Sequence, residues 1–84
     1  MTEPEVYAVL TEVFQELFAD EGIVLTPTTT ADDVEGWDSF NHLNIIVGVE
    51  SRFRIRLQTR EVEGLTNVGD MVKLILAKTG GQPA

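Results

Sequence analysis

An all-α fold is what this sequence predicts: a small four-helix bundle, three main helices plus one short one, with a long loop between the first and second. Three observations carry it. Apolar residues recur at threes and fours in three separate stretches, the periodicity of a helix with one buried face. Each stretch begins at a residue suited to capping, Thr2, Asp38 or Asn67. The one alternating segment, Arg54-Ile55-Arg56-Leu57, is too short to build a sheet.

The first helix is expected from about Pro4 to Asp20. Thr2 caps it, Pro4 sits early in the first turn, and Glu3 and Glu5 lie near the positive end of its dipole. Val6, Val9, Leu10, Val13, Phe14, Leu17 and Phe18 form its stripe, and Gly22 suits the stop. Gly22 to Trp37 holds Pro27, a threonine cluster and an Asp pair, and reads as an irregular loop pinned by Ile23, Leu25, Val34 and Trp37. The second helix runs from Ser39 to about Phe53. Ile46, Val49 and Phe53, with Leu43 and Ile45 beside them, form its buried face. Phe40, Asn44, Val47 and Ser51 share another face and mark a contact surface for partners. Thr59 caps a single turn through about Glu63, closed by Gly64. Asn67, with Asp70 three residues on, starts a last helix carrying Val68, Met71, Val72, Leu74, Ile75 and Leu76. One domain spans residues 1–84, ordered over about 4–79, with 80–84 a flexible tail.

Eighty-four residues leave no room for a second core, and a domain of this size buries only about 60–65% of its unfolded surface. A deep enzymatic cleft is therefore not expected, and the chain is read as a part that other proteins handle, not as an enzyme. There is no cysteine, hence no disulfide, thiolate zinc site or intrinsic thiol nucleophile. The longest apolar run, Ile45 to Val49, is far short of the roughly 20 residues that cross a bilayer. The N-terminus lacks the basic segment of a signal peptide, so a soluble, cytoplasmic monomer is expected. Charge is asymmetric. Residues 1–38 carry ten acids and no Lys or Arg, whereas residues 39–84 carry four acids against six basic groups. Such a surface repels nucleic acid and anionic membrane and steers toward a basic patch on another protein.

The chemistry converges on Gly36-Trp37-Asp38-Ser39-Phe40. If Asp38 caps the second helix, Ser39 takes the first helical position with its hydroxyl in solvent, among unpaired N–H groups that favour an attached anion. Asp38, Ser39 and His42 do not make a hydrolase: no Gly-x-Ser-x-Gly elbow is present, and His42 reads as a partly exposed surface residue. Asp32, Asp33, Glu35 and Asp38 do not make a calcium loop, because the required bidentate Glu falls on Leu43 or Asn44. No metal site is expected.

In register with both flanks, that motif resembles the acyl carrier protein family. The resemblance covers about residues 4–76: the stripe of the first helix, the long loop, the Asp38-Ser39 motif, Leu43, and Glu50-Ser51-Arg52-Phe53. It continues through Arg54 to Leu57, Thr59 to Gly64, and Leu65-Thr66-Asn67-Val68-Gly69-Asp70. It implies that Ser39 receives 4′-phosphopantetheine from coenzyme A and that Asp38 helps the modifying transferase bind its metal and coenzyme. The arm would supply the sulfur that this chain lacks. The implied partners are a phosphopantetheinyl transferase, an acyl- or aminoacyl-loading ligase, and a downstream acyltransferase or synthase. Ile46, Val49, Val62, Leu65 and Met71 are the candidates to line an acyl cavity. Phe40 in place of Leu, Asn44 and Ser51 in place of acids, and the cluster Arg52, Arg54 and Arg56 depart from fatty-acid carriers. They point to a specialised pathway. The alternative is a small helical interaction module without a prosthetic group.

Overall fold

The computed structural model describes residues 2–79, so the flexible tail expected at 80–84 lies outside the described residues. Four α-helices and one 3₁₀ turn follow one another, with no strand among the described residues.

Helix α1 spans Glu3–Phe18. Thr2 caps it reciprocally: the Thr2 hydroxyl accepts the Glu5 N–H at 3.4 Å while the Glu5 carboxylate accepts the Thr2 N–H at 2.9 Å. Those bonds from Thr2, backbone first, hold the Glu5 carboxyl below its ordinary range. The helix stops earlier than expected, and Gly22 is not its terminator. Ala19 takes the left-handed conformation (φ 51°) and returns its N–H to the Gln15 carbonyl. The Ala19 Cβ makes that backbone cost about 1–2 kcal/mol more than it would at glycine.

The loop is held at four apolar points, with Leu25 and Val34 buried and Ile23 and Trp37 half-buried against the core. Two hydrogen bonds tie it to the far end of the chain. The Val68 N–H donates to the Thr29 carbonyl (2.8 Å) and the Gly69 N–H to the Pro27 carbonyl (2.9 Å). These amides open the last helix and lack partners inside it, so the loop completes that helix as it docks. Thr29 is buried, and its hydroxyl accepts the Thr26 N–H at 2.9 Å. Ala31–Asp33 makes a 3₁₀ turn inside the segment that the sequence reads as irregular, and the Asp33 carboxylate accepts the Thr30 N–H at 2.9 Å.

Helix α2 spans Ser39–Phe53, α3 spans Thr59–Glu63 and α4 spans Val68–Lys78. The cap of α3 is Gln58, not Thr59. Its N–H donates to the Glu61 carboxylate at 2.9 Å, and its carbonyl accepts the Glu61 N–H at 2.9 Å. Asn67 caps α4 as expected, its side-chain oxygen accepting the Asp70 N–H at 2.8 Å.

α1 is the central rod and packs on both α2 and α4. Val6, Leu10 and Phe14 meet Ile45 and Val49 of α2 and Val68, Met71 and Ile75 of α4, all fully buried or nearly so. Burying each such side chain contributes roughly 1.5–3 kcal/mol, and this cluster is what holds the bundle. The α1–α2 crossing is close: a Cβ on Gly48 would come within 2.9 Å of a Val13 methyl. Leu43 is not on the buried face of α2. It is 62% exposed, because Ile45, Ile46, Val49 and Phe53 already fill the side turned to α1 and α4.

Candidate functional site

The site is assembled where the loop becomes α2. Gly36 adopts φ +92°, a backbone only glycine takes readily, and this turns the chain into the helix start. Its carbonyl accepts the Asn41 side-chain amide at 2.7 Å, which fixes the turn to the first coil of the helix. Asp38 then caps α2: its carboxylate accepts the Asn41 N–H at 2.8 Å, and its carbonyl accepts the His42 N–H at 2.8 Å.

Two first-turn amides, those of Ser39 and Phe40, find no acceptor among the described residues. Ser39 itself is exposed, and its hydroxyl has no hydrogen-bond partner among the described residues. An oxyanion attached to that hydroxyl would lie beside free N–H donors at the positive end of a 15-residue helix dipole. Such a group fits the residues present. Among the described residues no cluster of three or more His, Asp or Glu side chains could hold a metal ion. The single Asp38 carboxylate could add one ligand to a metal brought by another protein.

A cleft of about 750 Å³ opens beside Ser39, between α2 and the segment carrying α3. Leu43, Ile46, Leu57, Val62 and Leu65 form its apolar wall, and Trp37, Ser39 and His42 stand on its lining with Asp38. Of the five expected cavity residues, Ile46, Val62 and Leu65 line it. Val49 and Met71 do not: both point into the sealed core, at 0% and 1% exposure.

His42 is partly exposed, as expected, and its ring is engaged by a neighbour. The Trp37 indole N–H donates to His42 Nδ1 at 3.1 Å, and the two rings stack with an interplanar angle of 11°. With Nδ1 accepting, the proton of the neutral imidazole sits on Nε2, so the ring offers no vacant nitrogen to deprotonate Ser39. That removes the hydrolase geometry on structural grounds. Trp37 also meets Phe14 edge-on at 5.1 Å, which ties the cleft lining to the core of the bundle. Neither the Trp37–His42 bond nor the part played by Leu57 was read from the sequence. The i to i+5 spacing of an indole and an imidazole across a helix cap was the available signal.

Behind the far wall, Glu61 of α3, which is not itself among the lining residues, accepts the Gln58 N–H and pairs with Lys78 of α4 at 3.1 Å. The backbone bond from Gln58, then the lysine, hold its carboxyl below the ordinary range. The four residues read as a partner face are all exposed, with Phe40 at 73% and Val47 at 63% beside Asn44 and Ser51.

No protein-family model matches the sequence. Individual proteins do. An acyl carrier protein of Prochlorococcus marinus is 32% identical over 68 residues, covering 81% of this chain and 84% of that one. A meromycolate extension acyl carrier protein of Mycolicibacterium smegmatis is 30% identical over 74 residues, covering 88% and 75%. Among solved structures, the holo acyl carrier protein of Geobacter metallireducens superposes with a TM-score of 0.82 at 40% identity, covering 87% of this chain and 84% of that one. With an exposed serine behind a capping aspartate at the start of α2, and with relatives of this kind along most of its length, the chain belongs to the acyl carrier protein family.

Proposed function

We propose that Ser39 is the attachment point of 4′-phosphopantetheine and that the chain carries an acyl or aminoacyl group to partner enzymes. The observation that supports this most is the Ser39 hydroxyl, exposed at the first position of α2 beside two unpaired amides and a cleft. When bound, the arm supplies a thiol that holds the cargo as a thioester, while the protein contributes tethering and effective concentration. Ser39 Oγ forms the new ester bond to phosphorus. The phosphoanhydride of coenzyme A breaks, the adenosine bisphosphate half leaves, and the hydroxyl proton passes to a base. That base belongs to the transferase, since His42 Nδ1 is engaged by Trp37, one Asp38 oxygen by the Asn41 amide, and the other is left for the metal. Asp38 presents its remaining oxygen toward the metal that the transferase brings. The Ser39 and Phe40 amides steady the phosphate once it is attached.

The partners that follow are a phosphopantetheinyl transferase, a loading ligase, and an acyltransferase or synthase, met across Phe40, Asn44, Val47 and Ser51. A specialised pathway is favoured over housekeeping fatty acid synthesis, because α2 exposes Asn44 and Ser51 and is followed by Arg54 and Arg56. Incubation with a broad-specificity transferase, magnesium and coenzyme A is expected to add one phosphopantetheine by intact mass. Ser39→Ala is expected to remain unmodified with unchanged helical circular dichroism. An untouched wild-type chain would leave the interaction-module reading in its place.

A further inference from the structure

We infer that the strip Phe40–Leu43–Val47 and the two arginines at its far end, Arg54 and Arg56, form one docking surface for a partner enzyme that presents an apolar pocket rimmed by carboxylates. This deepens the carrier reading by assigning the partner's charge, but the surface argument makes no use of the arm.

Four large apolar side chains are strongly exposed among the described residues, and three of them are Phe40, Leu43 and Val47. Spacings of three and four put these three on one stripe of α2. The stripe carries no outward carboxylate. The one acid in α2, Glu50, turns back so that its carboxylate accepts the Leu57 N–H at 3.0 Å, and Asn44 and Ser51 are uncharged. The stripe ends in a depression of about 430 Å³ lined by Val47, Glu50, Ser51, Arg54, Ile55 and Arg56, in which two guanidiniums face a single carboxylate already bonded to the Leu57 amide.

The arginines are not equivalent. Arg52 reaches across to Glu12 and, at 3.9 Å, to Glu16 on α1, so its charge is spent within the molecule. Arg54 and Arg56 are exposed and have no ion-pair partner among the described residues. Arg54 moreover holds φ 57° at the helix end, a place that glycine or asparagine fills at lower cost, so local backbone preference does not explain a guanidinium there.

At 1.5 Å per residue α2 is roughly 22 Å long, between two and three screening lengths at physiological salt. The Asp38 end and the Arg54 end therefore act on a partner almost independently, although the chain as a whole carries −8. A rim of Lys or Arg opposite Val47 would meet two unpaired guanidiniums, whereas a rim of carboxylates would pair with them.

The test uses the full-length ¹⁵N-labelled chain, wild type and Ser39→Ala in parallel. It is titrated with two helical peptides that share one Leu/Phe face, flanked by Glu in one and by Lys in the other. The Glu peptide is expected to shift the amides of Phe40, Leu43, Val47, Arg54 and Arg56 in both proteins, and added salt is expected to weaken it. Arg54→Glu combined with Arg56→Glu is expected to lower its affinity about tenfold and to admit the Lys peptide to the strip. Arg56→Glu alone, outside any helix, serves if the double variant loses helicity. On the wild type, the Lys peptide is expected to shift the acidic residues of α1 and the loop instead. The inference is overturned if the Lys peptide takes the strip as tightly as the Glu peptide, or if neither shifts it. It is equally overturned if the strip's signals move with protein concentration alone, which would make a second copy the occupant. A positive result in Ser39→Ala separates this inference from the fate of the attachment site.

Discussion

The indole N–H of Trp37 donates to His42 Nδ1 at 3.1 Å while the two rings lie nearly parallel, and this pair spans the junction between the loop and α2. It links the residue before the cap to the second turn of the helix, so the lining of the cleft and the presentation of Ser39 share one fastening.

Trp37→Phe keeps an aromatic face toward Phe14 but removes the donor. The bond is only half-buried, so the expected loss is about 1 kcal/mol in urea unfolding. His42→Ala should cost a similar amount and should change the emission of Trp37, the single tryptophan of the chain. Unchanged emission in His42→Ala would mean that the rings are not in contact.

Gly69→Ala tests the tie between loop and α4. A Cβ there would lie 2.7 Å from the Pro27 carbonyl oxygen, which is backbone and cannot rotate away. The loop must lift and weaken the Gly69-to-Pro27 and Val68-to-Thr29 bonds, at an expected cost of about 1–3 kcal/mol. Hydrogen exchange at the Val68 and Gly69 amides is expected to quicken. Unaltered exchange and stability would contradict the observed docking.

Acid should loosen α3 and the start of α4. The Glu61 carboxyl is held low by the Gln58 amide and then by Lys78, and the Asp70 carboxyl by the Thr66 hydroxyl and then the Thr66 amide. A carboxyl lowered by folding contributes fully above its unfolded value, and the contribution disappears as pH falls through the folded one. The melting temperature is expected to fall on acidification, and to fall less in Glu61→Gln, which has already lost that contribution. Equal acid sensitivity in both proteins would refute the assignment.

Two substitutions should separate core from surface. Phe14 is fully buried and touches both Phe18 and Trp37, so Phe14→Ala is expected to cost about 3–5 kcal/mol. Arg52 pairs with Glu12 and Glu16 in solvent, so Arg52→Ala is expected to cost less than about 1 kcal/mol. Chemical denaturation of both variants measures the contrast.

The starts of the three long helices were legible because their chemistry is local: Thr2, Asp38 and Asn67 each bond an amide three residues on. The end of α1 was not: Ala19 takes a left-handed cap that composition assigns to Gly22, whereas α2 ends at Phe53 as expected, through a left-handed Arg54. Leu43, expected on the buried face, lines the cleft instead, and Val49, buried as expected, does not reach the cleft, since periodicity gives the angle between side chains but not which neighbour each one meets. Asp38 and Ser39 could be placed beforehand because cap and first turn are set by a few consecutive residues. The cleft beside them could not, because it depends on where Leu57, Val62 and Leu65 come to rest across from α2.

One wall of that cleft is carried by α3, a helix of five residues. A single turn is well below the length at which a helix sustains itself in water, so its order is borrowed from the Glu61–Lys78 pair and from its leucine neighbours. The enclosure beside Ser39 thus has one stiff side and one yielding side. Any widening beside Ser39 is therefore expected to fall on the yielding side and to leave the three longer rods in place.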